Sequence, residues 1–310
     1  MKALGIGEAP LDISCVVASY PLENQKHQSE ELIKSVGGPV PAGLLLLQRL
    51  GCTSQLITQL GTDLEAETVQ NYLEEQGIAV AATRSTHTKV NWYLVNARTG
   101  SRTGIKTTPG HTPLTKVDAQ AISQAQIIML DRHELACFAQ IKETASPSAV
   151  IMIDPSSDNS PEVMACLADT TVPVVPVELL KKEFPTADLS TATKQLANTL
   201  DSAVVVTAGS FGSVVYQNNQ LTLVPPVEIT CIDALGAGDV FRAALALKLA
   251  QKEELLDAVA YANAIAGMQC QRVGNGTAIP NTAELSGWRS LKAKQVTQQS
   301  LHNWYHSIAI

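Results

Sequence analysis

The residues best placed to do chemistry lie in one short stretch, in which small residues precede an aspartate. Gly236, Ala237 and Gly238 come directly before Asp239, and the segment 240–250 that follows is almost wholly apolar. A turn of small residues at a helix N-terminus exposes backbone N–H groups, and these donors and the helix dipole favour an anion. A carboxylate at that point is useful if it takes a proton from an attacking hydroxyl. The pattern predicts phosphoryl transfer, which needs a positioned base and a charge cradle.

The same residues have a plainer interpretation, in which Asp239 is only an acid at the start of a helix. Their surroundings help to decide, because strand-like and helix-like segments alternate along most of the chain. The predicted strands include residues 3–7, 55–60, 127–130, 149–153, 172–175, 203–207 and 221–232, and the predicted helices include residues 42–50, 64–76, 134–143, 161–167, 191–200 and 240–250. This alternation predicts an α/β fold with a doubly wound, mainly parallel sheet flanked by helices.

Two segments interrupt the alternation, residues 12–36 and residues 88–108. Their length and polarity do not suit crossover helices, since a crossover needs only about a dozen residues. Residues 91–96 and 102–107 flank a polar tip and look like a hairpin. Long structureless loops are uncommon inside compact domains. We therefore predict a small β-sheet lid on one domain that spans residues 1–310, and two long surface loops are the alternative.

Residues 233–241 resemble the C-terminal signature of the PfkB, or ribokinase-like, kinases, Asp-x-x-Gly-Ala-Gly-Asp-x-Phe. Further landmarks of that family follow in order over nearly the whole chain. They are the Gly-Gly pair at 37–38 with the apolar segment after it, residues 60–63, residues 75–78, the Thr-x-Gly-x-x-Gly pattern at 207–212 and the closing segment 262–280. Each motif alone is weak, whereas the ordered set is specific.

The resemblance implies a role for each matched position. Asp239 would deprotonate the acceptor hydroxyl, and the amides of the three residues before it would form an anion hole. The implied acceptor contacts are Asp12, Gly37 and Gly38, and the implied nucleotide contacts are Thr207, Gly209, Gly212 and Asn263. The implied ligands are ATP, Mg²⁺ and a sugar, with a lid that excludes water and supplies a homodimer contact. Asp233, with carbonyls near Ala278, would help to bind a monovalent cation such as K⁺.

The chain departs from the family pattern at some positions. Ala42 stands where relatives commonly have an asparagine that contacts the sugar, and a methyl group cannot replace its hydrogen bonds. Residues 175–180 do not match the Asn-x-x-Glu motif linked to magnesium, and we do not assign that role to the nearby Glu178. Asp131 and Arg132, at a strand end, resemble a stretch near the sugar in the ketohexokinase-like branch. An ordinary charged loop, with Asp131 capping the next helix, is the alternative.

Other candidate sites have plainer interpretations. His302 and His306 are spaced to share a helix face, but on a polar terminal segment we expect a solvated pair rather than a metal site. Arg98 and Arg102 flank the tip of the predicted hairpin, and we expect a solvated tip, with an anion contact under a closed lid as the alternative. Residues 5–10 imitate a dinucleotide fingerprint but have a proline in place of its third glycine.

Composition and charge argue against several classes of partner. A net charge of −7 does not suit nucleic acid as a main partner, which requires a basic face. No apolar run reaches the ~18 residues of a membrane span. The first residues lack the features of a signal peptide, and the six cysteines are dispersed without a Cys-x-x-Cys pair, as in reduced proteins. These features predict a cytoplasmic protein.

The turn and the resemblance together favour an enzyme that transfers the γ-phosphoryl group of ATP to a sugar hydroxyl. A monosaccharide is the expected acceptor, and a ketose is the narrower prediction. A nucleoside acceptor is one alternative. A non-catalytic sugar sensor of the same fold is another, and the intact Asp239 counts against it.

Overall fold

The computed structural model describes residues 1–99, 101–107 and 112–308. Within them the strands are β1 (Lys2–Ile6), β2 (Leu11–Val17), β3 (Glu31–Val36), β4 (Thr53–Leu60), β5 (Ala79–Arg84), β6 (Val90–Asn96), β7 (Arg102–Lys106), β8 (Ile127–Asp131), β9 (Val150–Asp154), β10 (Val174–Pro176), β11 (Val204–Thr207), β12 (Ser213–Gln217) and β13 (Gln220–Val224). The α-helices are α1 (Pro39–Arg49), α2 (Leu64–Glu75), α3 (Ala119–Gln124), α4 (Phe138–Thr144), α5 (Pro161–Ala168), α6 (Val177–Glu183), α7 (Leu189–Leu200), α8 (Ala237–Ala250), α9 (Leu255–Gln269), α10 (Thr282–Ser286) and α11 (Gln298–Ser307). None of the helices in these residues has the length and apolarity needed to cross a membrane.

The main sheet is parallel, so the carboxyl ends of its strands meet at one edge. Its order is β5-β4-β1-β8-β9. Successive strands lead outward on both sides of β1, which makes the crevice at its carboxyl end a switch point where such folds bind ligands. β9 contacts β10, the first strand of a second sheet with the order β10-β11-β12-β13. In that sheet β10 and β11 are parallel, and the remaining pairs are antiparallel.

Helices cover both faces of the main sheet. Along β8, Ile127 and Met129 belong to one buried cluster with α1, α8 and α9, whereas Ile128 and Leu130 belong to a second cluster with α4, α5, α6 and α7. Strands that are buried on both faces form continuous apolar runs, as the sequence of β8 does. The predicted doubly wound α/β fold is confirmed.

A separate four-stranded sheet, here called the small sheet, has the order β3-β2-β6-β7. β2 pairs antiparallel with β3 and parallel with β6, and β6 pairs antiparallel with β7. The register aligns Asp12 with Asn91 and Asn91 with Lys106. Because side chains alternate between faces, the next aligned pair, Trp92 and Ile105, lies on the other face. The small sheet expected from residues 12–36 and 88–108 is confirmed, with residues 100 and 108 outside the described part.

The sequence patterns do not predict β5, β12 or α6. β5 is an edge strand with mostly exposed side chains, and α6 begins directly after β10, so its apolar residues continue the strand pattern. The predicted strand 221–232 is wrong beyond Val224, because Pro225 and Pro226 cannot donate to a ladder. The predicted helix 134–143 begins as a 3₁₀ turn over Leu135–Cys137 and is α-helical only afterwards.

Candidate active site

A cavity of about 260 Å³ opens between the small sheet, the loops that follow β1, β8 and β9, and the start of α8. The predicted site residues that line it are Asp12, Gly38, Asp131, Arg132, Gly236, Gly238 and Asp239. Gly37 borders it through Asp12, since a Cβ on Gly37 would lie 2.2 Å from the Asp12 carboxylate. The fold therefore gathers residues from both ends of the chain at the switch point of the main sheet.

The turn before α8 has a backbone conformation that glycine adopts easily. Gly236 is the N-cap of α8 with φ of 78°, and a Cβ there would lie 2.3 Å from Oδ1 of Asn275. The first amides of a helix lack intrahelical acceptors. The Ala237 amide turns back to the Ala234 carbonyl at 3.3 Å. Gly236 and Gly238 line the cavity, so their end of α8 can serve as a cradle for an anion.

Two buried polar side chains hold this turn in place. Gln269 donates from Nε2 to the carbonyl oxygens of Leu235 at 3.2 Å and Asn275 at 2.9 Å. Asp233 is 1% exposed, and its carboxylate accepts the amides of Leu235 and Gly274, each at 3.0 Å. The cradle is therefore fixed before any ligand binds, which is the condition for strong electrostatic stabilisation of a transition state.

Asp239 lies in the first turn of α8 and forms an ion-pair cluster with Arg242 and Asp154. Nη2 of Arg242 donates to Oδ1 of Asp239 at 2.9 Å and lies 2.5 Å from Oδ1 of Asp154. Burial raises the pKa of Asp239 to about 6, while the Arg242 guanidinium lowers this pKa and the Asp154 carboxylate raises it. A carboxylate with that pKa is ionised at neutral pH and is a stronger base than an ordinary aspartate.

Asp12 and Asn91 form a polar pair on the small sheet. Asp12 is 1% exposed, and its Oδ1 accepts a hydrogen bond from Nδ2 of Asn91 at 2.8 Å. Burial raises the pKa of Asp12 to about 7, against the lowering effects of the Asn91 hydrogen bond and the Lys106 charge. Asn91 lines the cavity, and its buried Oδ1 has no hydrogen-bond partner among the described residues. The pair suits a ligand hydroxyl, which can donate to either oxygen.

Asp131, at the end of β8, is held by backbone amides from two loops. The amides of Glu8 and His133 donate to its carboxylate at 2.7 Å and 2.9 Å. Burial raises the pKa of Asp131 to about 8, although the Glu8 hydrogen bond lowers it. The helix that follows begins without a side-chain cap, so the capping interpretation of Asp131 is wrong. Arg132 lines the cavity with Nη1 3.6 Å from the Asp158 carboxylate.

The predicted nucleotide contacts are grouped outside this cavity, and they are Thr207, Gly209, Gly212 and Asn263. Gly212 has φ of 86°, and a Cβ there would lie 2.3 Å from the Val224 carbonyl oxygen. The Asn263 amide accepts from Oγ of Ser213 at 2.8 Å and donates to the Val224 carbonyl at 3.0 Å. These bonds join α9 to the β12–β13 hairpin. A contact of these residues with nucleotide stays a prediction.

Comparison with known proteins agrees with this geometry. The model of the pfkB family carbohydrate kinases matches residues 2–282 of the chain. The chain belongs to the pfkB family of carbohydrate kinases. This pfkB family member is 23% identical over 302 residues to a nucleoside kinase from Methanothermobacter thermautotrophicus, an alignment that covers 91% of this chain and 93% of the relative.

Solved structures share the fold of this pfkB family member. The ribokinase from Thermotoga maritima has a TM-score of 0.78 at 20% identity, covering 94% of this chain and 99% of its own. The Arabidopsis thaliana ribokinase, solved with ribose and ATP, has a TM-score of 0.75 at 17% identity, covering 93% of this chain and 98% of its own. At these identities the likeness establishes the ribokinase-like fold.

Few side chains of this pfkB family member are candidates for binding a metal ion. No group of three or more His, Cys, Asp or Glu residues within the described ranges could hold a metal ion. Mg²⁺ keeps several waters and is commonly bound through substrate phosphates, so the cavity suits a magnesium ion that arrives with a nucleotide. Glu178 is exposed on α6, and His302 and His306 are exposed on α11. Asp233 is already engaged by two backbone amides, and its cation role stays a prediction.

The structure places Arg102, Arg98 and Ala42 in different environments. The Arg102 side chain is 38% exposed, but it also lines the cavity with its Nη1 3.7 Å from Oδ1 of Asp233, so the solvated-tip interpretation is incomplete for Arg102. It holds for Arg98, which is exposed. Ala42 is fully buried in the core beside the main sheet, so this position contributes no side chain to the cavity.

Sequence reasoning missed several residues that build the site. They are Glu8, Asn91, Tyr93, Asp154, Arg242, Gln269 and Asn275. Two of them carry a sequence signal: Asn91 alternates with apolar residues in a strand, and Arg242 is a lone cation in the first turns of an apolar helix. The others become recognisable only when the strands, helix end and loops that carry them are brought together.

Proposed function

We propose that this pfkB family member transfers the γ-phosphoryl group of ATP to a hydroxyl of a monosaccharide. The observation that carries the proposal is that Asp239, the glycine turn at the N-terminus of α8 and Asp12 share one cavity. A base, an anion cradle and a hydroxyl-binding carboxylate are the groups that this reaction needs. Membership in the family supports phosphoryl transfer, and the relative solved with ribose and ATP supports ATP as the donor.

In this proposal the acceptor hydroxyl attacks the γ-phosphorus while Asp239 takes its proton. The new O–P bond forms as the bond to the β-phosphate oxygen breaks, and ADP leaves with that electron pair. The amides of Gly236 and Gly238 hold the transferring oxygens, and Asp12 orients the acceptor. Mg²⁺ bound to the phosphates would offset their charge.

The size and polarity of the cavity favour a monosaccharide. About 260 Å³ lies below the ~300–1,000 Å³ of typical drug-sized pockets. Charged side chains of both signs dominate the lining, together with two side-chain amides, and Tyr93 is the one Phe, Tyr or Trp residue that the described lining contains. Such a lining suits several hydroxyl groups better than a nucleobase, which stacks on aromatic or apolar surfaces. A ketose is our narrower proposal, supported by the position of Asp131 and Arg132 at the cavity.

A nucleoside acceptor is the second candidate, because the archaeal relative is a nucleoside kinase. Calorimetric titrations of fructose, ribose and adenosine, in the presence of a non-hydrolysable ATP analogue, separate the two. We expect binding of a monosaccharide. Binding of adenosine alone would replace the sugar proposal by the nucleoside one. If a sugar binds but does not raise ATP consumption above background, the non-catalytic sugar sensor would be supported instead.

We also propose that the small sheet is a lid whose outer face contacts a second copy of the chain. Trp92 is 45%, Ile105 63% and Leu32 57% exposed, so this face presents apolar side chains to solvent. Sedimentation velocity on Trp92→Ser and Ile105→Ser should show a weakened dimer. Leu64→Ser, at a 71% exposed leucine on α2, is the matched control that should leave the dimer intact. A wild-type monomer at micromolar concentration would contradict the proposal.

A further inference from the structure

Arg242 is a buried cation in an unfavourable place. It lies in the second turn of α8 and is 6% exposed, in a segment whose other buried residues are apolar. The N-terminal end of a helix carries partial positive charge, which opposes a cation there. Burial adds a desolvation cost that is offset only by close opposite charges and hydrogen bonds. The position of Arg242 therefore requires partners.

Those partners are two carboxylates from different elements. Nη2 lies 2.9 Å from Oδ1 of Asp239 on the same helix and 2.5 Å from Oδ1 of Asp154 at the end of β9. The Ser156 amide donates to the same Oδ1 of Asp154 at 3.1 Å and helps to fix this carboxylate. A Cβ built on Gly238 would lie 3.7 Å from both terminal nitrogens of Arg242, so the guanidinium lies alongside the glycine turn.

We propose that Arg242 is a positioning residue that keeps Asp239 ionised and fixes its orientation, with Asp154 as the second carboxylate of the same ion-pair cluster. The inference rests on the proposed role of Asp239 as the base. Arg242 itself does not line the cavity, so it acts through Asp239 rather than on the substrate.

Charged groups from other elements also face Asp239. Asp154 comes from β9 and Arg102 from β7, and Asp12 on β2 interacts electrostatically with Asp239. The other charged or titratable residues around the cavity are Glu8, Lys89, Tyr93, Lys106, Asp131, Arg132 and His133. Of all these groups, Arg242 and Asp154 are joined to the Asp239 carboxylate through one shared nitrogen, so changing either should move its titration most.

Removing Arg242 and removing the charge of Asp154 should shift the pKa of Asp239 in opposite directions. Without Arg242, two buried carboxylates would face each other, and one of them would retain a proton near neutral pH. Without the charge of Asp154, the guanidinium would belong to Asp239 alone, and Asp239 would ionise at lower pH. Removing both charges together should largely cancel the two shifts. A residue that only packs the core would produce no such pattern of signs.

The test is the pH profile of kcat/KM for the acceptor in the wild type and in Arg242→Met, Arg242→Lys, Asp154→Asn and the double variant Arg242→Met/Asp154→Asn. We expect the acidic limb of the Arg242→Met profile to move to higher pH by at least about one unit, which is about a fivefold loss of activity at pH 6, where the wild-type base is about half ionised. The acidic limb of the Asp154→Asn profile should move to lower pH, and that of the double variant should return towards its wild-type position. Arg242→Lys keeps the positive charge, so its acidic limb should stay close to the wild-type pH.

An acidic limb that stays at the wild-type pH in both Asp154→Asn and Arg242→Met, with Arg242→Met losing the same factor of activity at every pH, would overturn the inference. If Arg242→Met does not fold, the directions seen in Asp154→Asn and the double variant still decide. A readout without turnover is the pH dependence of thermal unfolding, with Asp239→Asn as the reference that lacks the titrating group. If Asp239→Asn keeps normal turnover, the base role fails, whereas the unfolding curves still report whether Arg242 shifts the Asp239 carboxyl.

Discussion

At the phosphoryl end of the cavity, the working groups are consecutive residues whose positions are set by backbone conformation. Gly236 has φ of 78°, and Gln269 and Asp233 tie the turn to neighbouring loops. At the acceptor end, by contrast, the working groups are ordinary side chains from separate strands, such as Asp12 on β2 and Asn91 on β6. The phosphoryl end depends on backbone conformation and tolerates few substitutions. The acceptor end depends on which side chains are present, so substitutions there can alter substrate specificity while phosphoryl transfer is retained.

The largest effect in this comparison should come from the base at the phosphoryl end. Asp239→Asn should lower turnover by ~10² or more, the scale of a lost general base, because an amide cannot accept the hydroxyl proton. Binding of ATP should stay nearly unchanged, since the amides of the turn remain. Steady-state turnover with calorimetric ATP binding measures both.

Thermal unfolding is the control for that variant, and it should show one cooperative transition with at most a modest fall in temperature, because Asp154 still pairs with Arg242. Near-normal turnover in Asp239→Asn would remove the base role and reduce the turn to an anion site.

The conformation of the turn can be tested separately from its residue types. Gly236→Ala places a Cβ 2.3 Å from Oδ1 of Asn275 at a φ of 78°, so the turn must move. We expect about a tenfold or greater loss of turnover, because a displaced cradle no longer meets the phosphoryl oxygens. Gly51→Ala is the matched control, since Gly51 has φ of 88° with open space at its Cβ. Equal losses in both variants would mean that general strain, and not the cradle, explains the effect.

At the acceptor end, the change should appear in KM rather than in turnover. Asn91 lines the cavity, and Asn91→Ala removes its buried Oδ1, which has no partner among the described residues, and the donor to Asp12. We expect about a tenfold higher KM for the acceptor, the equivalent of one lost hydrogen bond. The KM for ATP should not change. An equal rise in both values would contradict a role confined to the acceptor.

The smallest effect is one of stability and depends on pH. Burial raises the pKa of Asp12 to about 7, above its unfolded value. The folded protein then binds this proton more tightly than the unfolded chain, so this group's contribution to stability falls as pH rises from about 4 to 7. Asp12→Asn removes the penalty and should raise the unfolding temperature by ~2–4 °C at pH 8. Differential scanning calorimetry should show little difference at pH 4, and a constant difference at all pH values would disprove the coupling.

The same contrast explains how far the sequence could predict the structure. The turn at residues 236–239 was predictable because its small residues and its acid are adjacent, and strands β1, β8 and β9 of the main sheet because they are mainly apolar runs. The role of Asn91 was not predictable, because it arises only when β6 pairs with β2 and brings Asn91 beside Asp12. Arg242 was missed since its partner Asp154 is distant in the chain and meets it only across the ends of β9 and α8. The position of Arg102 at the cavity was not predictable, because a charged residue near a hairpin tip usually contacts only solvent.

The central claim is that a sugar hydroxyl bound in this cavity is phosphorylated by ATP. The most direct measurement is a screen of monosaccharides, nucleosides and related acceptors with purified protein, ATP and Mg²⁺, in which ADP release is the readout and Asp239→Asn is run in parallel. We predict that at least one monosaccharide raises ADP release well above the background of ATP alone in the wild type, and that Asp239→Asn abolishes the increase. Stimulation by nucleosides alone, or by no acceptor in the panel, would contradict the account.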